Sequence, residues 1–322
     1  MGAYIVRRLL IALGMLLAAS MLGFGVMKLT PGDYFDQLKM DPRVSQETVD
    51  RERAKRGLDK PVAIQYGLWL RRFATADLGE SFAHAQPVWR VMGDRIVNTI
   101  IMNVSSIFLT WAVAIPLGIY AAVHQYSRSD KVLSGLSFVG MSLPSFFVAL
   151  LLLWVFAGVL NWLPAGGLKS VDHDELSLLG KVGDYALHLI IPCFVLAFSA
   201  LAGLQRITRG NMLEVLRRQY ITTARAKGLG EGRVIYRHAL RNAINPLITI
   251  FGYQFAALFS GAALLEIVLN YPGMGQMMFQ AIMDKDEPLV MAGFMLGALM
   301  LLLGNLLADI LLAVADPRIS YQ

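Results

Sequence analysis

The sequence predicts an all-α polytopic membrane protein with six transmembrane helices, and three observations carry that prediction. Apolar residues make up 56% of the 322 residues and charged residues only 16%, whereas a water-soluble domain is about a quarter charged. The mean hydropathy is +0.54. The apolar residues gather in runs of about 20 or more, enough helix to cross a hydrocarbon layer of about 30 Å. Twelve prolines and 29 glycines fit this picture, because neighbouring helices re-satisfy the backbone groups that such residues free in a membrane.

In chain order, the first span is Leu9 to Leu29, within an N-terminal segment 1–29, and follows Arg7 and Arg8. A basic start before an apolar run also opens a signal peptide. Here the run is long and no small-x-small cleavage site follows it, so a retained anchor is expected. Residues 30–96 form a loop domain, the only part polar and long enough to fold outside the membrane. In it, Ser45 caps a helix running to Arg56 that Gly57 closes, and Ala63 to Phe73 reads as a second, amphipathic helix.

The core, 97–315, carries the other five spans: Val97–Val123, Val132–Leu160, Ala186–Gln205, Pro246–Leu269 and Leu289–Ala315, before a short tail, 316–322.

Orientation comes from the short loops. Residues 206–245 hold nine Arg and Lys against Glu214 and Glu231, while the loop before the fourth span holds Asp172, Asp174, Glu175 and Asp184. The positive-inside rule then puts the basic loop and both termini in the cytoplasm and the 30–96 domain outside. The net charge of +6 is thereby placed against a membrane, and no nucleic-acid partner is expected.

The basic loop is too long for a turn and reads as three helices, Asn211–Tyr220, Thr222–Lys227 and Gly232–Asn242. Gly228 ends the second in a left-handed cap, and Gly230 and Gly232 make a tight reversal. The run Thr222, Thr223, Ala224, Arg225, Ala226, Lys227, Gly228, Leu229 presents a compact, nearly side-chain-free face suited to insertion in a groove. On charge alone, a loop lying beside anionic lipid is the better explanation, but charge does not account for the small residues.

Polar residues in the spans are few. Ser142, Ser145 and Gln254 line a path or serve helix packing, and Pro144 breaks the third span. Asp309 either reaches the interface or bonds Asn305. Glu266 reads as a solvated carboxylate near a span end, His188 as an interfacial residue, and Met274, Met277 and Met278 as packing. No G-x-x-x-x-G-K-[ST], H-E-x-x-H or G-x-S-x-G motif is present. The single Cys193 excludes an internal disulfide and a cysteine metal site.

The stretch Tyr220 to Leu229, followed by Arg237-His-Ala-Leu-Arg-Asn-Ala243 and Pro246, resembles the coupling loop of bacterial type I ABC-importer permeases, and more narrowly of the dipeptide/oligopeptide permease family. Tyr4 to Leu9, Leu29 to Asp33, Gly57 to Pro61 with Gln65-Tyr66, Asp77 to Ser81, Ser142 to Phe146, Tyr271 to Gly275 and Asp316-Pro-Arg318 are similar to that family's other markers, in order. One departure is that Thr222, Thr223 and Ala224 stand where the broader pattern has Glu-Ala-Ala, and His238, Leu240 and Arg241 where it ends in Ile-x-Leu-Pro. The peptide branch varies in this way.

The resemblance implies one half of a translocation pathway in the bacterial plasma (inner) membrane. Its partners would be a second homologous permease subunit, two cytoplasmic ABC ATPase subunits and an external substrate-binding protein. ATP and Mg would be used by the ATPases, with no cofactor or catalysis on this chain. Residues 222–229 would be the ATPase contact, with Arg225 and Lys227 supplying charge and Ala224, Ala226 and Gly228 supplying close approach. Peptides are the expected cargo; nickel complexes, glutathione and oligosaccharides are carried by relatives. An ion-driven transporter would need paired broken helices and midplane acids, and an embedded enzyme convergent catalytic groups; neither pattern is in the sequence.

Overall fold

A computed structural model describes residues 2–39, 44–256, 258 and 262–315, and among them no strand forms beyond an isolated bridge between Glu80 and Pro87. Four helices are long and apolar enough to cross a membrane: α1 (Gly2–Leu29), α5 (Val88–Val123), α8 (Leu178–Leu216) and, last in the chain, Glu287–Ala315. A fifth span exists if α6 (Arg128–Ser142) and the helix from Ser145 are counted together, since they are bent by 101°. The bend falls at Leu143 and Pro144, as the proline predicts. Pro144 caps α7 (Ser145–Leu152), which widens into a π-helical stretch, Leu153–Val159.

The expected fifth span, Pro246–Leu269, is not one helix. After the basic segment, a helix covers Asn245–Ala256 and a short one Ala263–Val268, with most residues between them outside the described set. Among the described residues there are therefore four or five candidate spans where six were expected. The tail 316–322, with Asp316-Pro-Arg318, also lies outside the described residues.

Two helices run beyond the apolar stretches that announce them. Pro87 at the N-cap starts α5 nine residues before Val97, through Arg90, Asp94 and Arg95. Ser177 starts α8 by accepting the Gly180 N–H at 3.2 Å, and α8 continues past Arg206 and Arg209 to Leu216 without a break. At 1.5 Å per residue its 39 residues extend for about 58 Å. Hydropathy marks only the lipid-depth part of a helix, so both extensions escape it.

The α5–α8 contact is the central seam. A Cβ at Gly118 would lie 2.6 Å from Thr208 Cβ and 2.9 Å from the Gln205 carbonyl oxygen, so only glycine lets the two helices meet there. Buried hydroxyls along the seam are satisfied within their own helices, Thr110 to Ser106 O and Thr208 to Leu204 O, both at 2.8 Å. Ser137 of α6 joins the seam by donating to Gln205 Oε1 at 2.9 Å.

The first and last helices are stapled at both ends. Arg8 pairs with Asp309, so that acid is answered across helices, and Lys28 Nζ lies 2.7 Å from Glu287 Oε2.

The 30–96 domain folds largely as its caps predict. Short α2 (Tyr34–Leu38) is a capping box of Asp33 and Asp36 that sequence reading missed. In α3 (Gln46–Arg56), Ser45 Oγ accepts the Thr48 N–H at 3.2 Å, and Gly57 closes the helix at φ 70°. α4 (Val62–Ala74) follows. The domain is tied down by Asp286, which is fully buried and accepts the Ser81 hydroxyl at 2.5 Å and the Ala83 N–H at 3.1 Å.

Candidate functional site

The basic segment after α8 folds into a braced projection. α9 (Gln219–Ala226) begins three residues earlier than predicted, because α8 takes over Asn211–Leu216. Gly228 adopts φ 77°, the left-handed cap expected of it. Gly230 and Gly232 do not make a reversal: Gly230 is an extended cap, and Gly232 lies inside a helical run. That run comprises α10 (Glu231–Arg233), a π-helical stretch Val234–Ala239 and α11 (Leu240–Ala243).

Three contacts hold α9 from behind. Ile221 and Ala224 are buried in a cluster with Ile119, Met212, Val234, Ala239 and Ala243. Asn242 Nδ2 donates to the Tyr220 hydroxyl at 2.9 Å. Arg225 is forked onto Glu231, Nη2 to Oε1 at 2.6 Å, and this guanidinium holds the Glu231 carboxyl below the usual carboxylate range.

The eight predicted residues therefore divide. Ala224 is turned into the core, and Arg225 braces the Gly228 turn. Thr222, Thr223, Ala226, Lys227 and Gly228 are exposed, with Leu229 half-buried. Of the three residues expected to supply close approach, Ala226 and Gly228 are exposed, whereas Ala224 instead seats the helix.

The base of this projection carries a fork that sequence reading counted only as charge. Arg209 of α8 donates to Asp130 of α6 from Nε at 2.6 Å and from Nη2 at 2.7 Å, and Asp130 is 2% exposed. Asp130 also accepts the Tyr126 N–H at 2.9 Å, while Ser127 Oγ accepts the Asp130 N–H. The S-x-x-D run from Ser127 was the available signal.

The expected path residues lie on separate elements. Ser142 is exposed and donates to Phe138 O of its own helix at 2.8 Å, beside Pro144 and half-buried Ser145. Gln254 sits on the helix Asn245–Ala256, now α12, where its Oε1 accepts from Trp111 Nε1 at 2.6 Å.

Two residues stand against expectation at the other end. Glu266, on α13 (Ala263–Val268), is completely buried rather than solvated; it accepts the Gln276 N–H at 2.7 Å and the Ala262 N–H at 3.2 Å. A Cβ at Gly273 would lie 2.5 Å from its carboxyl carbon, so the glycines of Tyr271–Gly275 admit the carboxylate. His188 is likewise buried; it bonds Asp184 O at 2.8 Å, while Asp184 accepts from Ser170 and faces His173 Nδ1 at 2.6 Å. Met274 and Met277 are packing residues, as expected, in α14 (Met274–Met283) against Val88, Leu289 and Ala292. Among the described residues no group of His, Cys, Asp and Glu is arranged to hold a metal.

A family model for the binding-protein-dependent transport system inner membrane component matches residues 114–321, and a second, for the N-terminal part of such membrane components, matches 1–103. The oligopeptide transport system permease protein AppB of Bacillus subtilis (strain 168) is 39% identical over 322 residues, covering 100% of both chains. The dipeptide transport system permease protein DppB of Alkalihalophilus pseudofirmus is 35% identical, again over 100% of both. Among solved structures, inward facing conformations of the MetNI methionine ABC transporter match with a TM-score of 0.54 and 15% identity, over 70% of this chain and 96% of that one. At that identity the likeness shows the fold alone.

Proposed function

Because this chain belongs to the family of binding-protein-dependent transport system inner membrane components, we propose that it forms half of the translocation pathway of an ATP-driven importer of di- and oligopeptides. The peptide cargo is supported by the full-length relatives whose names are peptide permeases. Its partners would be a second, homologous permease, two ATPases on the side of α9 and a substrate-binding protein on the side of the 30–96 domain. Both termini and the 206–245 segment then face the cytoplasm, in line with the positive-inside rule.

One observation carries the coupling role: α9 is rooted from behind by Ile221 and Ala224 and open in front at Thr222, Thr223, Ala226 and Lys227. A helix that transmits force must not slide in its seat, and packed cores switch between discrete arrangements rather than deforming continuously. The Arg209–Asp130 fork ties that seat to α6, so α8, α9 and the start of α6 move together. Pro144 provides the break beyond which α7 follows a different body. ATP binding below and the loaded receptor above would each favour one state, as a two-state switch requires.

The test is retention of the ATPases. Ala226→Trp adds bulk to the exposed face without touching the core, and Lys227→Glu reverses its charge. Both variants are expected to insert normally and to lose ATPase on purification. Unchanged co-purification from both would refute the contact. ATP-dependent uptake of a labelled dipeptide by the reconstituted complex tests the cargo; binding of the cognate receptor to another solute class alone would reject it.

A further inference from the structure

We propose that α4 does not stand in water with the rest of the 30–96 domain but lies in the membrane surface, its open face held by phospholipid. The proposal rests on α1 crossing the membrane.

Depth is the first argument. The Tyr66 hydroxyl of α4 lies 2.8 Å from the hydroxyl of Ser20, which is buried in the middle of α1. Arg8 and Lys28 stand near the ends of the apolar run, and at 1.5 Å per residue the twenty steps from one to the other make about 30 Å of helix, the thickness of the hydrocarbon layer. Ser20 is eight residues, about 12 Å, inside the Lys28 level. The tyrosine side chain, the hydrogen bond and the serine side chain together span at most about 12 Å, so the Tyr66 backbone sits no higher than the Lys28 level. The contact is not a single bond: Phe24 of α1 meets Tyr66 and Trp69 with ring centroids 5.5 and 6.4 Å apart, and Trp69 stacks on Phe73 at 5.2 Å.

The second argument is what α4 leaves uncovered. Not one of its 13 residues is buried, and Val62, Ile64 and Leu68 are 51%, 50% and 39% exposed. α1 presents an open apolar surface of its own, with Leu13, Leu17, Met21, Leu22 and Val26 exposed. On a spanning helix such a surface is covered by lipid or by another membrane subunit, and it adjoins α4; of the two, lipid fits the aromatic and basic residues of α4. Tyr and Trp on one side and basic residues at the end mark helices that lie in the headgroup boundary; here these are Tyr66, Trp69, Arg71 and Arg72, with no acid anywhere in the helix. Neighbouring α3 shows the contrast. It is charged all round, with Arg51–Glu47 and Lys55–Glu52 pairs, and belongs to water.

The experiment uses the assembled complex in phospholipid vesicles, in a Cys193→Ala background. A nitroxide is attached after Ile64→Cys or Leu68→Cys, with Leu13→Cys as the membrane control and Glu47→Cys as the water control. Accessibility to oxygen and to a water-soluble nickel chelate is then read from each label. Labels at 64 and 68 are expected to follow the Leu13 site, relaxed by oxygen and several-fold less by the chelate than the Glu47 site. Chelate accessibility equal to the Glu47 site would overturn the proposal. So would exclusion of both reagents, which would mean that a protein surface covers α4. A chelate-accessible Leu13 site would overturn the spanning of α1 and the proposal with it. All four labelled positions are exposed, so the labels themselves disturb no packed site.

Discussion

α9 and α4 are short amphipathic helices of 8 and 13 residues, at opposite ends of α5, and they meet the rest of the chain in opposite ways. α9 drives Ile221 and Ala224 into a packed cluster, while α4 leans on α1 through aromatic edges and buries nothing fully. The difference teaches that amphipathicity states only that one face wants cover. Which face is sealed by the chain and which awaits another surface depends on what the fold places behind it. A seated helix can transmit movement, whereas a leaning one is held by its surroundings.

The largest effect is expected at the base of the seated helix. Arg209→Ala would leave Asp130 as a buried, uncompensated carboxylate and should destabilise the purified protein by about 3–5 kcal/mol. A thermal midpoint like that of the parent would show that the fork does not secure this end.

The comparison itself is tested by a matched pair of truncations. Ile221→Ala removes a fully buried side chain and should cost about 2–5 kcal/mol, with loss of the ATPases. Leu68→Ala on α4 should change stability in detergent by no more than about 0.5 kcal/mol. Equal losses in heat-induced aggregation would erase the distinction between the two helices.

Tyr66→Phe removes the hydroxyl that reaches Ser20 and should cost about 1 kcal/mol, read as faster proteolysis of the 30–96 domain. Unchanged proteolysis would show that aromatic contacts alone hold α4.

Smallest is Arg225→Ala. Both members of its pair with Glu231 are about half exposed, so screening leaves at most about 1 kcal/mol. Glu231 has its carboxyl depressed in the folded chain, so its contribution is present above the ordinary value of 4.5 and is lost as pH falls through the lower folded value. Limited proteolysis between Arg225 and Arg233 should therefore speed up on acidification in the parent and be fast at every pH in Arg225→Ala. A parent with no acid dependence would remove the brace from the account.

Local signals proved legible where the chemistry is local. Ser45, Gly57, Pro144 and Gly228 each act through their own backbone or one turn away, and each stands as read. The failures share the opposite character. Glu266 reads as solvated because its sequence neighbours do not reveal that the glycines of Tyr271–Gly275 fold closely over it while Gln276 and Ala262 donate their backbone N–H groups. His188 is buried because Ser170 and His173, from the preceding loop, return to Asp184. The expected span from Pro246 to Leu269 reads as one mostly apolar run, and hydropathy does not register where a helix breaks within such a run.

By itself, the sequence determined the helical membrane class, the bend at Pro144, the basic end and a glycine-capped helix within 222–229, because apolar run length, proline and glycine geometry and charge placement act over one or two turns. The tertiary structure alone decided which face of α9 is rooted and which is free, that Arg209 answers Asp130 and that Glu266 is buried. Those outcomes join separate elements of the fold, and only packing selects among the partners that each side chain's chemistry would accept.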